Sequence, residues 1–305
     1  MGLAPQDDAG APPARVLAVD GTGILVRCHR AALRSQAHLT SSDGTPTGTV
    51  MMLIGSLARK LRAVRPDYVV IAWDGPHARD WRREIYPEYK AGRPAAPEDR
   101  SHSRLAEEFC EAAGIRQLMV PGYEADDLLA AVQRQVQDEM PGALLDLLSD
   151  DADVLQLLDG GLTAVMGTSF DAVITARDVE ATWGVPPRWL PMLRSLSGDE
   201  SDGIPGLRGV GPVRAAQMIE RGQWEWPLPE SVLPDQGQRD QVAAWKSVMD
   251  LVSPPRRPED DSDKGYFTLN GRAEWHREVS LSLGDFLTRY ELRKLHERLK
   301  NGRLW

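Results

Sequence analysis

Cysteine is scarce in this chain: Cys28 and Cys110 are the only two among 305 residues, and neither belongs to a CxxC pair or a Cys/His cluster. That excludes a disulfide framework and a structural zinc site, and leaves both thiols as reduced core residues. No apolar run approaches the roughly 18 residues of a membrane span, and the first residues lack the basic start and apolar core of a secretion signal. A cytoplasmic protein with no membrane partner is the expectation. The six histidines, His29, His38, His77, His102, His276 and His296, form no pair at ligand spacing, so none is expected to be catalytic. No repeat at solenoid periods is present. Basic charge is also in deficit, with 36 Lys and Arg against 45 Asp and Glu and a net charge of −9. An acidic balance argues against a nucleic-acid partner, unless the surplus acids are concentrated at one metal site.

What is present is enough apolar sequence, 42% of residues, for one large domain or two small ones. Residues 1–14, rich in Ala, Pro, Asp and Gly, read as a disordered tail. The run Arg15–Asp20 then reads as a buried strand ending in Asp20, and Tyr68–Trp73 as a second strand followed by Asp74. Between them, Thr47–Val64 carries Val50, Leu53, Ile54, Leu57 and Leu61 at helical spacing. A helix near 102–113 leads to a strand at Ile115–Val120 and to Glu124-Ala125-Asp126-Asp127 at a helix start. Ala143–Leu148 is a strand ending near Asp151 and Asp153, and Leu162–Met166 is a fifth. Alternating strands and helices predict an α/β fold with a mostly parallel sheet flanked by helices. A lone acid at a strand end is usually a turn or cap residue, and acids at a helix start favour its positive end. Four such clusters after successive strands are hard to assign to capping and point to a shared metal site. Glu124 and Asp127, at i and i+3, would repel each other unless a cation relieved them.

Residues 77–104 show little periodicity but carry Arg79, Arg82, Arg83, Lys90 and Arg93 among Trp81, Tyr86 and Tyr89. Cations attract phosphates and aromatic rings stack on bases, which fits a single-strand binding surface; composition supports a solvated, mobile loop equally well. After residue 184 the chain turns to helical segments broken by glycine and proline. The stretch from Gly198 to Gly211, GDESDGIPGLRGVG, sets Asp199 and Asp202 three residues apart and then bends the backbone. Acidic pairs suit divalent ions and glycine-rich turns expose amides to phosphates. Pro212 opens a helix that includes Arg214. The alternative is a glycine hairpin used only for packing. Asp235–Leu251 and Glu291–Leu299 read as helices, with a polar linker at 254–264.

The ordered motifs Asp20 in LAVDG, Thr47-Gly48, Asp74, Tyr89-Lys90 with Arg93, GYEADD, SDDAD and GDESDGIPGLRGVG resemble the 5′-nuclease family of flap endonucleases and 5′–3′ exonucleases, from about residue 15 to 222. The resemblance implies a PIN-like catalytic domain at 15–184 with an arch region at 77–104. Residues 185–305 would hold a helix-three-turn-helix element and the C-terminal helices. It implies two Mg²⁺ ions, replaceable by Mn²⁺. Asp74, Glu124, Asp126, Asp127 and Asp151 would serve the first, with Asp20 acting through water, and Asp153, Asp199 and Asp202 the second. Nine acids would then account for the net charge of −9. Lys90 and Arg93 would contact the scissile phosphate from an arch helix, Tyr89 would stack on a base, and Arg79, Arg82 and Arg83 would guide a single strand. Gly206, Gly209, Gly211 and Arg214 would clamp the duplex, with K⁺ at the same turn. The implied substrates are DNA with a 5′ flap, nick or free 5′ end, extending to RNA:DNA hybrids and primers, cut by a monomer in replication and repair. A PIN-type ribonuclease and a catalytically silent DNA-binding homologue are the competing readings. The chain departs from the family pattern at Gly203, where members often have Asn, and near Pro212 and Val213, where Arg214 is the available base.

Overall fold

The computed structural model describes residues 13–35, 39–92, 101–158, 163–167, 173–258 and 281–305. Residues 1–12 of the expected tail, His38, Arg93, residues 259–264 of the expected linker and His276 lie outside the described residues. The centre is a sheet of β1 (Arg15–Asp20), β2 (Tyr68–Trp73), β3 (Arg116–Met119), β4 (Leu144–Leu148), β5 (Thr163–Met166) and β6 (Val173–Ile174), in the order β3-β2-β1-β4-β5-β6. The first five strands run parallel and β6 pairs antiparallel with β5. The five strands expected from sequence form within a residue or two of their expected ends. The added β6 has two residues, too few to produce a periodic signal.

Strand β1 shows why the sheet is covered on both faces. Val16 and Ala18 enter one apolar cluster, whereas Leu17 and Val19 enter the other; successive side chains of a strand point to opposite faces. On the Leu17 side lie α1 (Gly21–Arg34), α2 (Gly48–Val64) and α4 (Ser101–Ala112), and on the Val16 side α5 (Ala125–Glu139), α7 (Leu190–Ser197), α8 (Pro212–Arg221) and α9 (Gln236–Met249). Two short helices, α3 (Asp80–Ile85) and α6 (Ala176–Trp183), complete this part of the chain. Asp235 caps α9 by accepting from the Gln238 N–H at 2.7 Å. Both cysteines are free and buried, Cys28 on α1 and Cys110 on α4.

Two further helices, α10 (Leu281–Arg289) and α11 (Arg293–Lys300), close over α4. The Phe286 and Phe109 rings meet at 5.9 Å, Ser282 Oγ donates to Ala112 O at 3.0 Å, and Tyr290 OH donates to Glu108 Oε2 at 2.7 Å. From α2, Arg62 Nη1 donates to Leu304 O at 2.6 Å. Sequence pattern predicted only the last of these helices; Gly284 in the middle of α10 weakens its helical signal. Among the described residues, no helix is long and apolar enough to cross a membrane.

Phe109 of α4 is fully buried and meets Phe286 of α10. Phe109→Ala should lower the unfolding free energy by about 3–5 kcal/mol, read from urea denaturation, and should speed proteolysis within 281–305 before the rest of the chain is cut.

Candidate metal centre

Strand order decides where the acids meet. From β1 the chain moves outward to β2 and β3, then returns to β4 on the other side of β1. Such a switch point leaves a crevice beyond the strands' C-terminal ends, where ligands bind in parallel sheets. Asp20 ends β1 and caps α1, accepting from the Gly23 N–H at 2.8 Å and from Ser149 Oγ at 2.9 Å across the crevice. Asp74 follows β2, and its Oδ1 accepts from the Ala125 N–H at 2.9 Å. Asp151 follows β4 and caps a 3₁₀ turn (Ala152–Leu157), accepting from the Asp153 N–H at 3.0 Å. Asp126 sits in the first turn of α5. Asp126, Asp151 and Asp153 each offer a carboxylate oxygen within 4.8 Å of the others.

Electrostatics set this group apart from ordinary caps. Burial pushes the Asp20 carboxyl up to about 6. Asp74 is raised by burial and by Glu124, Asp126 by burial and by Asp127, and Asp153 by burial and by Asp151. Burial also raises Asp202, against the pull of Lys90. Carboxylates that raise one another in this way ionise together more readily when a cation joins them. An all-oxygen donor set suits a hard divalent cation, and the residues fit one.

Part of the expected ligand set is committed elsewhere. Asp127 accepts both terminal nitrogens of Arg82, at 2.7 and 2.6 Å, and Arg82 Nε donates to Val248 O of α9 at 2.8 Å. Asp127 is therefore held as an ion-pair partner of Arg82, and Arg82 itself is 1% exposed, with no free surface to offer a strand. Glu124 accepts from Arg79 Nε at 3.0 Å, Lys90 Nζ at 3.0 Å and Tyr89 OH at 2.9 Å. Burial alone would raise its carboxyl, yet Lys90, Arg82 and Arg79 hold it down at about 2. The like-charge repulsion expected at the start of α5 is thus relieved by basic side chains of the 77–90 segment.

In residues 77–92 of the 77–104 region, aromatic and basic side chains turn inward. Trp81, Arg82, Tyr89 and Lys90 are buried, so Tyr89 has no face free to stack on a base. Lys90 lies in a turn with φ +50°, not on a helix, and its ammonium faces Glu124 at 3.0 Å and Asp202 at 3.7 Å. Arg79 is half-buried on Glu124; of the three arginines expected to guide a strand, Arg83 is the exposed one, with Nε donating to Tyr89 O at 3.3 Å.

The glycine-rich stretch joins α7 to α8 and carries the remaining acids. Asp199 and Ile204 exchange backbone hydrogen bonds of 2.7 and 2.8 Å. Within that turn Asp199 Oδ1 accepts from Ser201 and Asp202, while Oδ2 accepts from Arg194 Nη1 at 3.3 Å. The same Arg194 nitrogen donates to Asp153 Oδ1. Gly203 has φ +75°, and a Cβ there would lie 2.9 Å from Glu88 O, so glycine lets the loop press against the Lys90 turn. Tyr86 OH donates to Gly203 O at 2.8 Å and Lys90 N–H to Asp202 O at 3.0 Å, completing the contact. Gly206 is also required by packing, since a Cβ there would lie 2.3 Å from Gly198 N. By contrast, Gly209 and Gly211 face open space, next to exposed Arg214 and Val213. An open cleft of about 600 Å³, lined by Asp151, Trp183, Arg194, Asp199, Ser201 and Pro212, leads to the acids.

Sequence reasoning missed Arg194, Ser149 and one histidine pairing. Arg194 is the lone charge in the apolar helix LPMLRSLS, and a buried charge just before an acidic turn is a signal that a partner acid is near. His29 and His102, 73 positions apart in sequence, bring their rings to 4.6 Å; no local spacing could show this.

A family model described as 5′–3′ exonuclease, N-terminal resolvase-like domain, matches residues 15–184. The fold and site therefore define a nuclease-type α/β domain, and the chain belongs to the 5′–3′ exonuclease family. Thermostable DNA polymerase I of Thermus filiformis is 35% identical over 235 residues, which is 76% of this chain and 26% of that protein. The 5′–3′ exonuclease of Aquifex aeolicus is 34% identical over 184 residues, 60% of this chain and 62% of that protein. The chain thus spans about a quarter of the polymerase relatives it matches. Among solved structures, the T5 D15 protein co-crystallised with metal ions aligns with a TM-score of 0.61 at 18% identity, covering 78% of this chain and 90% of that one. Flap endonuclease-1 of Methanococcus jannaschii aligns at 0.56 and 15% identity, covering 95% and 93%. At these identities the structural likeness establishes the fold, a PIN-like sheet flanked by helices.

The two neighbouring acids of α5 should separate by stability. Asp127→Asn removes the two-oxygen partner of buried Arg82, leaving it only Glu124 at 3.3 Å, and should cost about 3–5 kcal/mol, whereas Asp126→Asn relieves repulsion and should leave stability unchanged or raised. Urea denaturation in EDTA checks both; equal losses would remove the distinction.

Proposed function

We propose that this chain is a divalent-metal-dependent nuclease that hydrolyses phosphodiester bonds of DNA, as a 5′–3′ exonuclease and 5′-flap endonuclease. The observation that carries this reading is the convergence of Asp126, Asp151 and Asp153 at the C-terminal edge of the sheet, in a chain of the 5′–3′ exonuclease family. Asp74, Asp126 and Asp151 would hold one Mg²⁺ or Mn²⁺ ion, with Asp20 acting through water, and Asp153, Asp199 and Asp202 a second. Such a pair supplies an activated water and neutralises charge on the departing 3′ oxygen.

The chain's own groups do the rest. Burial disfavours the Lys90 ammonium, but Glu124 and Asp202 outweigh it and raise the group above its ordinary value. Lys90 thus keeps a positive charge beside the acids, where the phosphate must lie. Half-buried Arg79, paired with Glu124, and exposed Arg83 would guide a 5′ strand. Gly209, Gly211 and the N-terminus of α8 offer backbone amides to duplex phosphates, with Arg214 beside them, and K⁺ is assigned to this turn. The substrates are DNA with a 5′ flap, a nick or a free 5′ end, and RNA:DNA hybrids. We assign the enzyme to replication and repair as a monomer in the cytoplasm.

A 5′-flap DNA, a nicked duplex, an RNA:DNA hybrid and single-stranded RNA, each incubated with Mg²⁺ and with EDTA, test the reading. Cleavage of the DNA-containing substrates only with Mg²⁺ is expected; its absence on all of them would falsify the proposal, and cutting confined to RNA would make the chain a ribonuclease. Lys90→Met should lower the single-turnover rate by about 10²-fold or more, with DNA affinity reduced by less than about tenfold. A melting curve should accompany that variant, because Lys90 also pairs with Glu124.

A further inference from the structure

Arg194 has no part in the chemistry described above, yet it is placed among the acids that carry it. It lies on α7, is 7% exposed, and reaches past the Trp183 ring, whose centroid is 5.8 Å from its guanidinium carbon. One nitrogen, Nη1, donates both to Asp153 Oδ1 and to Asp199 Oδ2. These acids come from separate parts of the chain, the turn after β4 and the loop after α7. Lys90 makes a parallel link between Glu124 of the sheet edge and Asp202 of the same loop.

The oxygens involved matter. Asp199 Oδ1 is occupied within its own turn by Ser201 and Asp202, so Oδ2 is the oxygen best placed to meet a cation. That is the oxygen Arg194 takes, together with Asp153 Oδ1. A small divalent ion needs carboxylate oxygens at about 2.0–2.1 Å, and it would compete with the guanidinium for the same lone pairs. Removing one member of a buried ion pair leaves an uncompensated charge, so without either cation the loop acids would be driven from the sheet edge.

We propose that Arg194 is a positioning residue, a protein-borne counterion that docks loop 198–211 against Asp153 when no divalent ion is bound and yields Asp153 and Asp199 to the ion on loading. The inference rests on the assignment of these acids to a metal site. The loop is thereby held in its working position whether or not the ion is present, and Arg194 sets how readily the second ion binds.

Hydrogen–deuterium exchange of peptides spanning 198–207, in the whole chain without DNA, tests it. Wild-type protein should show the same protection in EDTA and in saturating Mn²⁺. Arg194→Met should exchange faster in EDTA, on the order of tenfold, and return to the wild-type level with Mn²⁺; Arg194→Lys, which keeps a point charge, should fall between. A loop in Arg194→Met that stays protected in EDTA overturns the proposal, as does one that stays unprotected with Mn²⁺, since a packing role would not be reversed by an ion. If the Met variant does not fold, a Lys variant whose loop is indifferent to Mn²⁺ overturns it equally. Calorimetric titration of wild type with Mn²⁺ separates the two readings: no binding removes the metal centre itself and this inference with it, whereas binding with a metal-indifferent loop in the variants removes only the role of Arg194.

Discussion

Burying carboxylates side by side is the constraint on which the rest of this molecule depends. Asp20, Asp126, Asp153 and Asp202 are each less than a tenth exposed, and isolated charges in such surroundings are expensive unless paired. The structure meets that cost with its own cations before any metal is considered. Arg82 neutralises Asp127, Arg79 and Lys90 surround Glu124, and Arg194 joins Asp153 to Asp199. Asp126, Asp151 and Asp153, each with a carboxylate oxygen within 4.8 Å of the others, are the part of the acidic edge suited to an external cation.

The same ion pairs organise the architecture around the site. Arg82 ties the start of α5 to the end of α9 through Val248 O, so an electrostatic solution at the site also fastens α9 to the sheet. Lys90 and Arg194 draw the glycine-rich loop inward from two sides. The loop accepts this position because Gly203 and Gly206 lack the Cβ atoms that would collide with Glu88 and Gly198. Residues toward α8, by contrast, stay open, and the stretch divides into a docked half that carries acids and an exposed half that carries amides.

Much of the fold was legible in the sequence. β1, β2 and β4 are apolar runs ended by acids, and α2 repeats its apolar residues at helical spacing; both signals are local and survive without any alignment. The acids at the strand ends were legible for the same reason, as was Asp199 with Asp202. The errors fall where one residue's role depends on another distant in sequence. Tyr89 and Arg82 look like a binding surface because an aromatic–basic segment has the same composition whether it faces solvent or folds over an acid. That Asp127 gives both its oxygens to Arg82, 45 residues away, is likewise invisible in the sequence. Gly203, a departure from the family pattern, has its reason in Glu88.

The sequence by itself determined the class of sheet, the strand ends from which the acids project and the turn that brings in two more. Periodicity and chain punctuation are properties of neighbouring residues, and these features follow from them. Only the tertiary structure decided which acids remain available to a cation and which are neutralised by the protein, because that partition depends on distances between segments separated by tens of residues. Arg194 and Asp127 mark the difference. Each is an ordinary charged residue in the chain, and each acquires its role only when burial strips away water and leaves opposite charge within reach.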